Sequence, residues 1–327
     1  MAKLPIYSTL EEKAEIFEQI VLTTKEDVRT KFIEKMKEEI NQEKANRFIY
    51  RGITNSQYKI YNSSQRNYAE KELQNITSYN NLISGTIEEA LNFQNGLLRK
   101  YFSGFMVPYD IPVLSFLQHY GAPTPLIDWT YNFEIALFFT TDGQKHNASD
   151  NQIDNYFSVY VIDKQACGGD LINISTWLEF TLSQINQITV AHPEADATQV
   201  INQYNQFSYD TFKQIGIFYV SDFERNIRIP ALTTQSNLNV INQQGLFIFN
   251  ASENEPLEHF FGSNRDPFSG LPKIKCYDIH KSLYYYVLNE ITVARRAAGL
   301  IELDRDFIYP QEENIAKNAF TNYLSRP

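Results

Sequence analysis

The run LIDWTYNFEIALFFT at residues 126–140 is the feature that most constrains the fold. LIDW has the length and content of a short buried strand, and residues 132–141 form a helix that is apolar on nearly every side. A helix of that kind needs protein around its whole circumference. A buried strand needs sheet neighbours for its backbone groups. A layered α/β arrangement meets both demands. The rest of the chain supplies the partners, since hydrophobic residues make up 43% of it and aromatic residues 14%, enough for a large core.

Further strands are expected at RFIYRG (47–52), YKIYNSS (58–64), YFSVYVID (156–163), GIFYVSDF (216–223), GLFIFN (245–250) and KIKCYDI (273–279). YFSVYVID has the aromatic and β-branched content of a central strand. Residues 9–45 carry apolar positions at three- and four-residue intervals, which predicts one or two amphipathic helices. Helices are also expected over 66–101, with a break near Ser84-Gly85, and over 111–120, ending at Gly121 and Pro123. Two more close the chain, at 280–298 and 310–325. The Gln/Asn-rich stretch within about 165–215 reads as a helical insertion. With no internal repeat and no Gly/Ser-rich linker, the expected fold is α+β. It is a single mixed α/β domain over 46–327 with a central, largely antiparallel sheet and a helical N-terminal extension over 1–45.

The net charge of −10 argues against a protein that coats nucleic acid by counterion release. Cys167 and Cys276 form no CxxC pair, and the five histidines lack metal-ligand spacing, so no metal site is expected. Few cysteines and the lack of an apolar signal region lead to the expectation of a cytoplasmic chain, and no apolar run is long enough to span a membrane. There is no G-x-S-x-G, no Walker loop and no G-x-G-x-x-G.

Three places remain as candidates. Arg51 ends a strand and is followed by Gly52. A guanidinium there suits a phosphate, and the glycine lets a ligand approach the backbone; an ordinary carboxylate pair accounts for the arginine equally well. Gln118, His119, Thr124, Asp128, Trp129, Thr130 and Asn132 crowd into 15 positions at a strand–helix junction. Separately, each has a structural use: His119 at a helix C-terminus, Thr130 or Asn132 as an N-cap, Trp129 as packing. Together they make a polar pocket wall. Gln243-Gln244-Gly245 precedes an apolar strand, where two amides fit either a polar ligand or a solvated turn. Glu253, Glu255 and Glu258 are expected on a solvated face, Tyr284, Tyr285 and Tyr286 in core and rim, and Arg295-Arg296 in helix-end salt bridges.

FIYRGITNSQYKIYNSSQR and LSFLQHYGAPTPLIDWTYNFEIALFFT resemble the FRG domain, named for a Phe-Arg-Gly motif that reads Tyr50-Arg51-Gly52 here. The family's Pro-Ser-x-x-Arg block is similar to Asn62 through Arg66, and its Gln-His-x-Gly-x-Pro-Thr-Arg-Leu-Leu-Asp-Trp-Thr block to Gln118 through Thr130. INQQGLFIF and IYPQEENIA resemble its later motifs. The chain departs from the pattern at Pro125, where the family has arginine, at Phe133, where it has proline, and at Gln311, where it has aspartate. The motif order also resembles ADP-ribosyltransferases, whose arginine grips the pyrophosphate of NAD. Carried over, the resemblance implies Arg51 on phosphate, Thr130 supporting the cofactor, and Gln243 or Gln244 in the orienting place. Gly52, Arg66, His119, Thr124, Asp128 and Trp129 would line the ligand. The implied function is an NAD-binding ADP-ribosyltransferase or NAD glycohydrolase, acting on a macromolecular target as a bacterial toxin or phage-defence effector. The alternative is a non-catalytic module recognising a protein or a nucleotide-like small molecule.

Overall fold

The computed structural model describes residues 4–41, 46–103, 110–142, 150–177, 208–224, 237–262 and 272–311, with Ser183 and Thr234. The fold is α+β and is built on one eight-stranded mixed sheet. The strands are β1 (Glu18–Leu22), β2 (Phe48–Ile53), β3 (Leu126–Thr130), β4 (Tyr156–Asp163), β5 (Ile172–Asn173), β6 (Ile217–Val220), β7 (Gly245–Asn250) and β8 (Ile274–His280). Their order across the sheet is β1-β8-β4-β2-β3-β7-β6-β5. The two outermost pairings, β1 with β8 and β5 with β6, are parallel. All those between are antiparallel.

The central strands are continuous apolar runs because both sheet faces are covered. Tyr156 through Ile162 of β4 and all of β7 are buried. On one face, Tyr50, Val159, Val161, Tyr277 and Ile279 pack under Val28, Phe32 and Met36, the helix Phe133–Thr141 and the helix Tyr284–Ala297. The other face carries Ile49, Trp129, Tyr160, Ile162 and Ile248, covered by Tyr7, Phe17, Leu257 and Phe261. A third cluster joins the helices Tyr79–Ser103 and Asp110–His119 to Phe218, Phe247 and Phe249.

Three sequence expectations are corrected. Residues 9–45 are not wholly helical: EQIVL becomes β1, because β8 offers a parallel edge to which its backbone pairs. YKIYNSS forms no strand. Asn62 instead caps the helix Ser63–Glu70 in a reciprocal box with Gln65, and this competes with extension. The helix Tyr79–Ser103 runs through Ser84-Gly85; its non-helical residues are Phe93 to Gly96. Most of the expected insertion, and the expected helix at 310–325, lie outside the described residues. The described flanks of the insertion hold β5 and the helix Tyr209–Ile215.

A buried polar knot fastens the N-terminal segment to the sheet. Lys13, with no exposed surface, donates to Ser158 Oγ at 2.9 Å and pairs with Asp278 at 2.5 Å. Ser56, Ser158 and Gln19 complete the carboxylate's hydrogen bonds. The Lys13 ammonium also lies 5.2 Å from the Tyr160 ring centre. Such a pair is tolerated in the interior because both charges are fully bonded. Glu258, expected in solvent, is likewise buried. It accepts from Tyr7 Oη at 2.6 Å and from the Ile60 N–H at 3.0 Å.

Candidate functional site

The site begins at a break in the sheet. β2 meets β4 at every residue from Phe48 to Ile53, yet it meets β3 at the single pair Tyr50–Thr130. Past that pair the two strands part. The Arg51 guanidinium crosses the gap and donates from Nη1 to the backbone carbonyl of Asp128. A side chain thus supplies a bond that a longer ladder would have given to backbone. Burial pushes the Arg51 pKa down to about 10, with Arg66 adding to the fall and Asp128 opposing it. Arg51 Nε is buried and has no hydrogen-bond partner among the described residues.

A cavity of about 380 Å³ opens at this gap, lined by Arg51, Gly52, Gln118, His119, Asp128, Phe139, Asn237, Asn239, Gln243 and Tyr309. These residues come from several separate elements. Gln118 and His119 end the helix Asp110–His119, which Gly121 closes at φ 82°. Asn237 caps the helix Leu238–Asn242. Tyr309 follows the helix Arg305–Ile308, which Gln243 and Asn242 hold by bonds to the Ile308 and Phe307 carbonyls at 3.0 and 2.7 Å.

The turn between His119 and β3 is fixed from within. Gln118 donates to Asp128 Oδ2 at 3.0 Å and accepts from the Thr124 hydroxyl. Thr124 N–H donates to Ser63 Oγ at 2.9 Å. Gln118 therefore sets the Asp128 carboxylate in the cavity wall, and Thr124 lies behind it. His119 packs edge-on against Tyr120, with ring centres 4.7 Å apart.

Of the residues singled out from sequence, Arg51, Gly52, His119, Asp128 and Gln243 meet in this cavity. Thr130 does not line it. Its buried hydroxyl donates to the Gln243 carbonyl at 2.6 Å and accepts the Asn132 N–H at 3.0 Å, which ties β3 to the approach of β7. Gln244 is exposed and sits at φ 45°, where its carbonyl accepts the Tyr131 N–H. Trp129 points to the opposite sheet face and is only 3% exposed. Alternation along the strand requires this once Asp128 faces the cavity. Arg66 lies outside the lining and donates to the Tyr61 carbonyl at 2.5 Å. Asn132, not Thr130, caps the helix Phe133–Thr141.

Gly52 has a reason the sequence did not suggest. A Cβ there would lie 1.9 Å from the Ala136 carbonyl oxygen and 2.8 Å from Thr140 Cγ2. The close approach is by the helix Phe133–Thr141, which crosses β2 at this residue. Phe139, Asn237, Asn239 and Tyr309 were missed as lining residues. Asn237 and Asn239 lie only a few positions before Gln243, but nothing in their spacing marks them, and Tyr309 reaches the cavity only through tertiary packing.

Among the described residues no group of histidine, cysteine, aspartate and glutamate side chains could hold a metal ion, and no helix is long and apolar enough to cross a membrane. Fold and site together define an α+β domain with a polar cavity at a parted strand pair. The family model of the FRG domain matches residues 46–149, which carry β2, the Gln118–Asp128 turn, β3 and the helix Phe133–Thr141. No curated protein and no solved structure matches the chain.

Proposed function

We propose that this FRG domain binds a nucleotide-like small molecule in the Arg51–Asp128–Gln243 cavity, with NAD as the first candidate. The observation that carries the reading is Arg51. It is a part-buried cation on a cavity wall, held by one backbone carbonyl. Arg51 lines the cavity, so its guanidinium is placed to meet an acceptor atom of a ligand. The cavity volume of about 380 Å³ lies in the range of small-molecule sites.

Of the two sequence readings, binding without turnover is favoured. In the ADP-ribosyltransferase comparison a hydroxyl supports the cofactor and a late Glu or Gln orients the ribose. Here the Thr130 hydroxyl and the Gln243 carboxamide are both bonded inside the protein. ADP-ribosyl transfer or NAD hydrolysis would require Gln243 to leave the Ile308 carbonyl. A toxin or phage-defence role would then belong to a ligand-sensing part rather than a transferase. The test is titration calorimetry of NAD against the purified chain and Arg51→Ala. Binding to the wild type, weakened about tenfold or more in the variant, supports the reading. No heat with NAD at millimolar concentration removes it. Release of nicotinamide on prolonged incubation would favour turnover instead.

A further inference from the structure

We infer that residues 304–309 form a strap over the cavity, that this strap opens as a unit while the sheet stays folded, and that its opening frees the Gln243 carboxamide. The inference adds a regulation to the site proposed above and rests on that cavity being a ligand site. The strap begins at Asp304, whose side chain accepts the Phe307 N–H at 2.7 Å and caps the helix Arg305–Ile308. The last carbonyls of a helix have no partner within it. Asn242 and Gln243, consecutive residues at the end of the helix Leu238–Asn242, take them here. Asn242 Nδ2 donates to the Phe307 carbonyl at 2.7 Å, and Gln243 Nε2 to the Ile308 carbonyl at 3.0 Å. The next residue is Tyr309, which lines the cavity with its ring centre 6.2 Å from that of Phe139. The two amides therefore hold Tyr309 in the cavity wall, and Gln243 directs its donor to the strap instead of to a ligand.

Little else holds the strap. It pairs with no strand of the sheet. Ile308 is its one buried side chain, and it packs with Ile135 and Phe138 in a small cluster apart from those that cover the sheet. Arg305 pairs with Asp142 at 2.9 Å, but the arginine side chain is 68% exposed, so water and salt screen the pair. A segment with few buried contacts, held by bonds that water can replace, opens at a lower free energy than the core of the sheet. Gln243 is fastened separately, because its own carbonyl accepts the Thr130 hydroxyl on β3. When the strap lifts, the Gln243 backbone stays in place and its amide loses the Ile308 carbonyl beside the cavity it lines. The closed strap is thus an autoinhibitory contact, and the open form is the one in which Gln243 can orient a ligand.

Hydrogen exchange on the unliganded full chain tests the opening. The Ile308 and Tyr309 amides donate to the Asp304 and Arg305 carbonyls at 3.0 and 2.8 Å. We expect them to exchange at least about tenfold faster than the Phe247 and Ile248 amides of β7. Asn242→Ala removes one amide from the strap without touching the cavity lining, and should speed their exchange about fivefold more, with an unchanged circular dichroism spectrum confirming its fold. A thiol introduced by Asn239→Cys reports access to the cavity, since Cys167 and Cys276 are buried. Its reaction with dithionitrobenzoate should be slower than that of a free thiol and should rise by the same factor when Asn242→Ala is added. If the strap amides exchange no faster than those of β7, or the thiol already reacts at the free rate, or Asn242→Ala changes neither, the strap is a fixed wall; this inference falls and the nucleotide reading stands. If exchange and labelling behave as expected while NAD does not bind, the nucleotide reading falls and the strap stands.

Discussion

Gly52→Ala is the substitution whose outcome follows most directly from the geometry. The added methyl would sit 1.9 Å from the Ala136 carbonyl oxygen, where real Cβ atoms essentially never come within 3.0 Å. The obstacle is helix backbone, so no rotamer change relieves it. β2 and the helix Phe133–Thr141 must separate by about 1.1 Å to reach even that limit. The helix has little room to retreat, because Ala136, Leu137 and Phe133 are packed in the same cluster as Tyr50, Val159 and Tyr277. Overpacking of well-filled cores costs about 1–3 kcal/mol, and a backbone obstacle belongs at the upper end, about 3 kcal/mol. With an unfolding entropy of about 2.1 cal/mol/K per residue over the 327 residues of the chain, that corresponds to a fall in Tm of roughly 4–5 °C. Thermal and urea unfolding followed by circular dichroism would measure it. Gly85→Ala is the control: that glycine lies within a helix and an added methyl would meet nothing within 4 Å, so the change should stabilise by about 0.5–1 kcal/mol. If Gly52→Ala melts within about 1 °C of the wild type, helix contact is not why a glycine stands there.

Other perturbations test the remaining contacts. Thr130→Val removes the bond to Gln243 and strands the Asn132 N–H, so we expect a loss of about 2–3 kcal/mol in urea unfolding, with Thr130→Ser largely retaining stability. Lys13→Met leaves the Asp278 charge buried without its cation and should cost about 3–5 kcal/mol, read as a lower urea midpoint. Burial raises the Glu258 carboxyl above its ordinary value, against the opposing pull of the Tyr7 hydrogen bond. The folded state therefore holds that proton more tightly than the unfolded chain. Its contribution is complete below about pH 4.3 and is lost as pH rises through the folded pKa. The Tm of Glu258→Gln relative to wild type should thus climb with pH over that window, and a constant difference would contradict the assignment.

The strands that form the middle of the sheet were legible because their burial on both faces writes a continuous apolar run, as in YFSVYVID and GLFIFN. β1 was hidden. EQIVL lies in a charged segment with helical spacing, and its strand state depends on the β8 edge, more than 250 residues away in sequence. YKIYNSS carried a strand composition, but the Asn62–Gln65 box decided the local structure. In the site, Arg51, His119, Asp128 and Gln243 could be found because polar residues at strand ends and helix ends are unusual beside so apolar a helix. Their roles were less legible. Thr130 differs from Asp128 only by which bonds its neighbours leave free, and that depends on the parting of β2 from β3. The buried lysine and Glu258 had no signal at all, since a charged residue in an amphipathic or polar segment reads as solvated until its partner is known.

The most direct measurement is a crystal structure of the chain soaked with NAD. We expect ligand density in the cavity lined by Arg51, Asp128 and Gln243. Density at another surface, or a cavity filled by the protein's own side chains at saturating NAD, would contradict the account.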